Sequence, residues 1–400
     1  ALQKNCTDYF YNRVAGFLHP VFLNENNKDL IIENNKLQLL VLLTSNTGEE
    51  QIAIVNIPVD FVSRFYFADE SNTGTRYIIF LDDIIKENLD KIFSGYTITG
   101  SYSFKITRDA ELDLEDEYDG DLADKIQKQL KKRDSGLATR FLYQPGVPLR
   151  TLYSVTSKLN LANANAVAGG NYHNLKNLSA IPLPDKQNFC YENWEPIHKN
   201  NLISGSSIFD TLAVKDIMVH TPYQSYSPVI RFFNEASLDN NVEEIYLTIY
   251  RVAHDSMIVN SLMNAARNGK KVTVFVELKA RFDEENNLEW AARMKEAGVK
   301  IIYSIPGYKV HAKMALVKRR ESGRVKYYGL LSSGNFNENT SLLYTDHALL
   351  TSHPAIVSEM ELLFIFFSFR VQPKKYQLLN FEHLLVAQFN LQKRFLALID

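Results

Sequence analysis

The sequence predicts two structural classes in one chain: an α+β unit over residues 1–182 and an α/β unit over residues 216–400 with a mixed, partly parallel sheet. Three observations carry this. From Asp216 onward, short β-rich apolar runs alternate with amphipathic helical runs closed by glycines, the β-α-β-α-β rhythm of parallel strands with right-handed crossovers. Before residue 182, strand-like runs follow one another as hairpins with helices set among them, which is an α+β pattern. Between the two, residues 183–215 are rich in proline, asparagine and aromatics and read as a linker or arm, with Trp194 expected to dock it.

In the first unit, residues 36–44, 51–57, 77–81 and 96–108 read as strands. Residues 82–93 read as a helix with Asp82 as N-cap and Gly95 just past its end. Residues 119–133 make a second helix, acidic at the start and basic at the end, as the macrodipole prefers. Residues 137–143 form another strand and 147–159 another helix. The alternating acids of residues 111–117 offer metal-ligand atoms, but a solvated strand or loop explains them better.

In the second unit, residues 216–220 read as a short strand, 222–225 as a turn and 228–236 as an amphipathic helix. Strands follow at 244–252, 271–278 and 300–304, separated by helices at 257–267 and 288–297 that Gly269 and Gly298 end. Then come a strand at 310–317, a hairpin through Gly323, a strand at 325–331, a small-residue turn at Gly334, a strand at 346–351 and a helix from Pro354. The apolar run 362–367 is too short to cross a membrane and reads as a buried helix.

Net charge is −2, so any site for a polyanion is local rather than a global basic field. The two cysteines, Cys6 and Cys190, make no disulfide framework; they fit a reducing, cytoplasmic setting and are expected to be buried. No signal peptide is visible, and a start at Ala1 leads us to expect a piece of a longer chain.

The chemistry concentrates around residues 310–317. On a strand, His311 and Lys313 share a face, and that face is expected to point away from the core. A neutral imidazole is a nucleophile and an ammonium beside it clamps a phosphate oxygen. A lone histidine on a strand is more often structural, and the surroundings shift that balance. Arg251 and Arg281 stand at the carboxyl ends of two parallel strands, where such sheets bind ligands. Ser333, Gly334 and Asn335 form a turn that an anion can approach closely. Of the nearby cations Lys309, Lys318, Arg319, Arg320, Arg324 and Lys326, only Lys309 joins Lys313 as a functional candidate. His220 and Tyr223 close a strand of the same sheet and either line the site or pack; His254, His347 and His353 read as structural or solvent-facing.

His311-Ala312-Lys313 followed by Ser333-Gly334-Asn335 resembles one half-site of the phospholipase D superfamily, although Lys318 stands where that superfamily usually has an aspartate. The wider set resembles the bacterial polyphosphate kinases, the long-chain type that uses a phosphohistidine. Its segments here are VHTPY (219–223), IYR (249–251), VFVELKARFDEE (274–285), KVHAK (309–313), GNFNE (334–338) and LYTD (343–346). The resemblance implies a phospholipase-D-like second unit and reversible transfer of the ATP γ-phosphate to the end of inorganic polyphosphate. His311 matches the phosphorylated histidine, with Lys313 completing the half-site. Arg251 and Arg281 match two arginines of the phosphate and Mg²⁺ site. Arginine has no free acceptor, so both read as phosphate clamps beside the ion. Tyr344 matches a tyrosine of the nucleotide site. The resemblance also implies Mg²⁺ as cofactor, ATP/ADP and polyphosphate as partners, a homo-oligomer and peripheral membrane association, and no nucleic acid. The family further has an N-terminal helical domain and a second phospholipase-D-like domain, both expected to be missing from this fragment. Two other readings stand beside this one: a phospholipase-D-type phosphodiesterase or nuclease that pairs two half-sites, and a non-catalytic polyphosphate-binding fragment.

Overall fold

The computed structural model describes residues 2–24, 30, 32–70, 75–109, 136–183, 186–192, 194–198, 205–278, 283–303, 309–369 and 379–400. They fall into two compact units, one up to Glu192 and the other beyond it. The predicted helix 119–133 and the acids 111–117 lie outside the described residues.

The first unit is built on a six-stranded sheet. Its strands are β1 (Val21–Phe22), β2 (Leu37–Ser45), β3 (Glu50–Asn56), β6 (Tyr96–Arg108), β7 (Ala138–Tyr143) and β8 (Asn165–Ala168), ordered β1-β3-β2-β6-β7-β8; β4 (Phe65–Glu70) and β5 (Thr75–Phe80) pair as a separate hairpin. All pairs are antiparallel except β7–β8. β2 lies mid-sheet, and its near-continuous apolar run serves both faces. Leu37, Leu39, Val41 and Leu43 pack with Leu81, Ile84 and Ile85 of the helix Leu81–Glu87. Leu40 packs with Phe104, Phe141 and Val155, the last on the helix Leu149–Lys158.

Two expectations are corrected here. Asp82 does not cap a helix over 82–93. The helix runs Leu81–Glu87, a second short one spans Leu89–Ile92, and Asp82 sits fully buried in the first turn. Arg64 explains the change: its Nε and Nη2 donate to the two carboxylate oxygens at 2.7 and 2.9 Å, a partner that outcompetes the cap. Cys190 is exposed; only Cys6 is buried.

The second unit is a seven-stranded mixed sheet. Its strands are β9 (Ile217–Thr221), β10 (Val242–Ile249), β11 (Lys271–Val276), β12 (Lys300–Tyr303), β13 (Lys313–Glu321), β14 (Arg324–Ser332) and β15 (Asp346–Thr351), ordered β12-β11-β10-β13-β14-β15-β9. The β10–β11 and β11–β12 pairs are parallel, crossed by the helices Met257–Arg267 and Glu284–Glu296; the remaining pairs are antiparallel. These directions put the carboxyl ends of β9, β10, β11, β12 and β14 on one rim with the amino ends of β13 and β15.

Both faces of this sheet are covered, which is why β13 is apolar without alternation. Met314 and Leu316 meet Met360 and Phe364 of the helix Pro354–Phe369, which buries the apolar run as expected. On the opposite face Tyr328 meets Phe209, which meets Phe232 of the helix Ser227–Leu238. Among the described residues no helix is long and apolar enough to cross a membrane.

Gly329 lies at a close helix–sheet approach. A Cβ there would lie 2.7 Å from Met360 Sδ and 3.2 Å from Val357 Cγ1, and Met360 is itself fully buried. Gly329→Ala is therefore expected to cost roughly 1–3 kcal/mol through overpacking. Urea denaturation should show a lower midpoint at unchanged slope.

Candidate active site

β10 stops at Ile249, three residues short of the predicted strand end, so Tyr250 and Arg251 belong to the loop beyond it. The helix Glu284–Glu296 pins this loop from below. Asn287 Nδ2 donates to Tyr250 O (2.9 Å), Asn286 Nδ2 to Val252 O (3.2 Å) and Trp290 Nε1 to Ala253 O (3.2 Å). Asp283, just before the helix, forms an ion pair with Arg251, Oδ2 to Nε 2.8 Å.

β13 begins at Lys313, not at Val310, so His311 lies in the segment leading into the strand. This corrects the expectation that His311 and Lys313 share one exposed strand face. His311 is exposed, whereas Lys313 is only 8 % exposed. The lysine folds back and its Nζ donates to His311 O at 2.7 Å. Tyr250 is the hub; it lies in the IYR segment, but the sequence pattern gives it no role. His311 meets its ring edge-to-face with centroids 4.9 Å apart. Lys313 Nζ lies 5.1 Å from the ring centroid and the Arg251 guanidinium carbon 5.7 Å. A π face attracts both cations and so gathers them about the imidazole.

The electrostatics follow. Burial against Tyr250, then the charges of Lys313, Arg251 and Lys309, hold the His311 imidazole below its ordinary value. Its outer side remains in solvent. Burial is also the main cause that pushes Lys313 down to about 8; Arg251 adds to the effect and Asp346 opposes it.

Asp346 arrives with the glycine turn. Lys313 pairs with Ser332 on β14, and Ser332 pairs with Ala348 on β15. Ser333 Oγ donates to Asp346 Oδ1 at 2.8 Å and accepts the backbone N–H of His347 at 3.0 Å. Ser333 is thus committed to the turn rather than left as a free donor. Gly334 N donates to Ser332 Oγ at 3.1 Å. A Cβ on Gly334 would stand 2.3 Å from Asp346 Oδ2, so glycine is what lets the turn close on the carboxylate. Asn335 Oδ1 is buried beside it without a partner among the described residues.

The other expected residues occupy the far end of the same rim. The Tyr344 side chain is exposed, and its carbonyl accepts from Thr221 Oγ1 at 3.1 Å. His220 packs rather than lines: its ring lies flat on His347, centroids 4.4 Å apart and planes 9° apart. His347 accordingly has a packing role. Tyr223 is exposed and meets His220 and Trp194 edge-on. Trp194 touches Tyr223 yet stays 64 % exposed, so it does not dock the arm into a core. Lys318, at the position of the superfamily's aspartate, is paired with Glu244 (3.0 Å) and Glu361 (2.8 Å). Arg281 lies outside the described residues.

No three His, Cys, Asp or Glu side chains gather as a metal cage among the described residues. Among the rim's carboxylates, Asp283 and Asp346 each already face a cation. Such a donor set suits an ion carried mainly by substrate phosphates and water, not a dedicated protein cage.

Comparison with known proteins places the chain in a family. The description "Polyphosphate kinase middle domain" matches residues 1–181 and "Polyphosphate kinase C-terminal domain 1" matches residues 207–373. A polyphosphate kinase of Vibrio parahaemolyticus is 34% identical over 405 residues, taking in 100% of this chain and 58% of its own length. That of Escherichia coli K12 is 35% identical over 402 residues, 98% of this chain and 57% of its own length. The crystal structure of polyphosphate kinase from Porphyromonas gingivalis superposes with a TM-score of 0.78 at 34% identity, covering 99% of this chain and 57% of that one. The chain thus spans a little over half the length of these relatives. With two matched domains in the family's order and a fold shared along almost its whole length, the chain belongs to the polyphosphate kinase family.

Proposed function

We propose that this chain carries the phosphoryl-accepting half-site of an ATP:polyphosphate phosphotransferase. The observation that supports it best is an exposed imidazole, held neutral, with Lys313 and Arg251 gathered beside it on Tyr250. An imidazole nitrogen of His311 attacks the γ-phosphorus of ATP. The P–N bond forms as the bond to the β–γ bridging oxygen breaks, and ADP leaves with that electron pair. A terminal oxygen of polyphosphate then attacks the same phosphorus and the P–N bond breaks; the reverse sequence makes ATP. Two in-line transfers replace one, and each needs charge stabilisation more than acid–base work. Lys313 and Arg251 stabilise the equatorial oxygens where charge rearranges. Arg281 and Tyr344 keep their family-implied roles, at the phosphates and at the nucleotide. Mg²⁺ bound with the nucleotide would supply further neutralisation of phosphate charge, on the same phosphates that Arg251 and Lys313 hold.

The test is γ-labelled ATP with a full-length enzyme carrying this sequence. An acid-labile, base-stable label on the His311 peptide is expected, and a label on another residue sinks the assignment. Cleavage of a phosphodiester without ATP would favour the nuclease reading; ATP or polyphosphate binding with no label would favour the non-catalytic one.

The pH dependence is a second check. His311 must be neutral, so labelling should rise with pH through a value below the ordinary imidazole pKa of about 6.5. Lys313 must be charged, so the rate should fall again near the lysine's own value of about 8. Lys313→Arg should move the alkaline limb upward; an unmoved limb would remove Lys313 from the mechanism.

A further inference from the structure

Glu277 follows β11 directly, and its side chain is fully buried (0 % exposed). Its backbone N–H extends the sheet by donating to Ile249 O at 2.9 Å, and its carbonyl accepts Asn287 Nδ2 at 3.1 Å. The carboxylate reaches across to the segment entering β13, where Oε2 accepts the backbone N–H of Val310 at 2.9 Å. Val310 immediately precedes His311 and lies ahead of the first ladder pair of β13. The same Asn287 Nδ2 holds Tyr250 O. The end of β10 that carries Arg251, the end of β11 and the segment that carries His311 are thus tied through two buried side chains.

Keeping a carboxylate out of water is unfavourable unless it is well satisfied, and a charged acceptor makes a shorter, stronger bond than a neutral one. A segment without a ladder partner gains most from such a bond. We propose that Glu277 is a positioning residue for the phosphoryl-accepting histidine: by holding Val310 it fixes His311 against Lys313 and Arg251 in the geometry that in-line attack requires. This rests on the reading of His311 given above.

Two variants separate geometry from charge. Glu277→Asp keeps the charge but draws the acceptor away from Val310; Glu277→Gln keeps an acceptor and removes the charge. In the full-length enzyme, Glu277→Asp is expected to slow labelling of His311 by about a hundredfold, the scale of an ångström's misplacement, with the half-saturating ATP concentration little changed. Glu277→Gln should keep most of the rate. An NMR titration of the His311 ring gives a readout that needs no turnover. The ring should titrate below its ordinary value in wild type and in Glu277→Gln, and drift back toward about 6.5 in Glu277→Asp as it loses its burial against Tyr250 and leaves the two cations. Wild-type behaviour of Glu277→Asp in both measurements overturns the proposal. So does a loss in Glu277→Gln as large as that in Glu277→Asp, which would assign the role to charge. If wild type itself takes no phosphate, the reading of His311 as acceptor fails, and the titration still decides whether Glu277 positions the ring.

Discussion

Replacing His311 by glutamine is expected to abolish phosphoryl transfer while leaving the fold intact. Glutamine matches the imidazole in reach and polarity and can still bond to a phosphate oxygen, but its amide has no nucleophilic lone pair near neutral pH. The variant should therefore bind ATP and form no covalent intermediate. Removing the nucleophile of a covalent mechanism costs on the order of 10⁴-fold or more in turnover, because neighbouring groups stabilise a transition state that can no longer form. Stability should stay within about half a kcal/mol, since His311 is exposed and its side-chain contact on Tyr250 is an edge. Turnover and an unchanged melting curve, measured on one preparation, check both halves. A variant that keeps a tenth of wild-type turnover would move the nucleophile elsewhere on the rim and with it the reading of Lys313 and Arg251.

Arg64→Ala is expected to be the most damaging single change to stability, and its effect should depend on pH. Arg64 and Asp82 are both buried and joined by two hydrogen bonds, and Arg64 also donates to Asn177 Oδ1 at 3.2 Å. Deleting the guanidinium leaves a carboxylate in the core with its main counter-charge gone, which typically costs about 3–5 kcal/mol. Burial already raises the Asp82 pKa, with Arg64 opposing it; without Arg64 the rise is larger. A carboxyl whose folded value lies above its unfolded one destabilises the fold increasingly as pH rises through the folded value. The deficit of Arg64→Ala relative to wild type should thus be greatest at neutral pH and shrink at acid pH, as Asp82 takes up its proton. The double variant Arg64→Met/Asp82→Leu should recover most of the loss, since apolar side chains of similar size often replace a buried pair without penalty. Urea denaturation of the three proteins at both pH values decides it. A deficit below about 1 kcal/mol, or one equal at both, would mean that water reaches Asp82.

Much of this was legible in the chain itself. Helix ends marked by Gly269 and Gly298 and the alternation of apolar strands with amphipathic helices specify β10, β11 and β12 as parallel neighbours, because local periodicity and turn chemistry are properties of short segments. The same pattern puts Arg251 at a strand end and His311 at the start of another strand. Register and direction across the sheet then bring the Gly334 turn alongside them. The errors have a common cause: each concerns a side chain whose partner is remote in sequence. Asp82 looked like a cap because its neighbours in the chain begin a helix; Arg64, eighteen positions away, draws it inward. A strand beginning at Val310 predicts an exposed Lys313. In the folded chain the strand starts three residues later, and the lysine is buried over Tyr250. Tyr250, Asp346 and Glu277 fall within the segments IYR, LYTD and VFVELKARFDEE, but no local pattern says what each one touches. By itself the sequence determined the family, the order of elements and the residue types able to handle phosphate. Which of them meet, the downward shift of the His311 imidazole and which carboxylate is kept from water were decided only by tertiary structure, because desolvation and the pairing of charges depend on distances that no local pattern encodes.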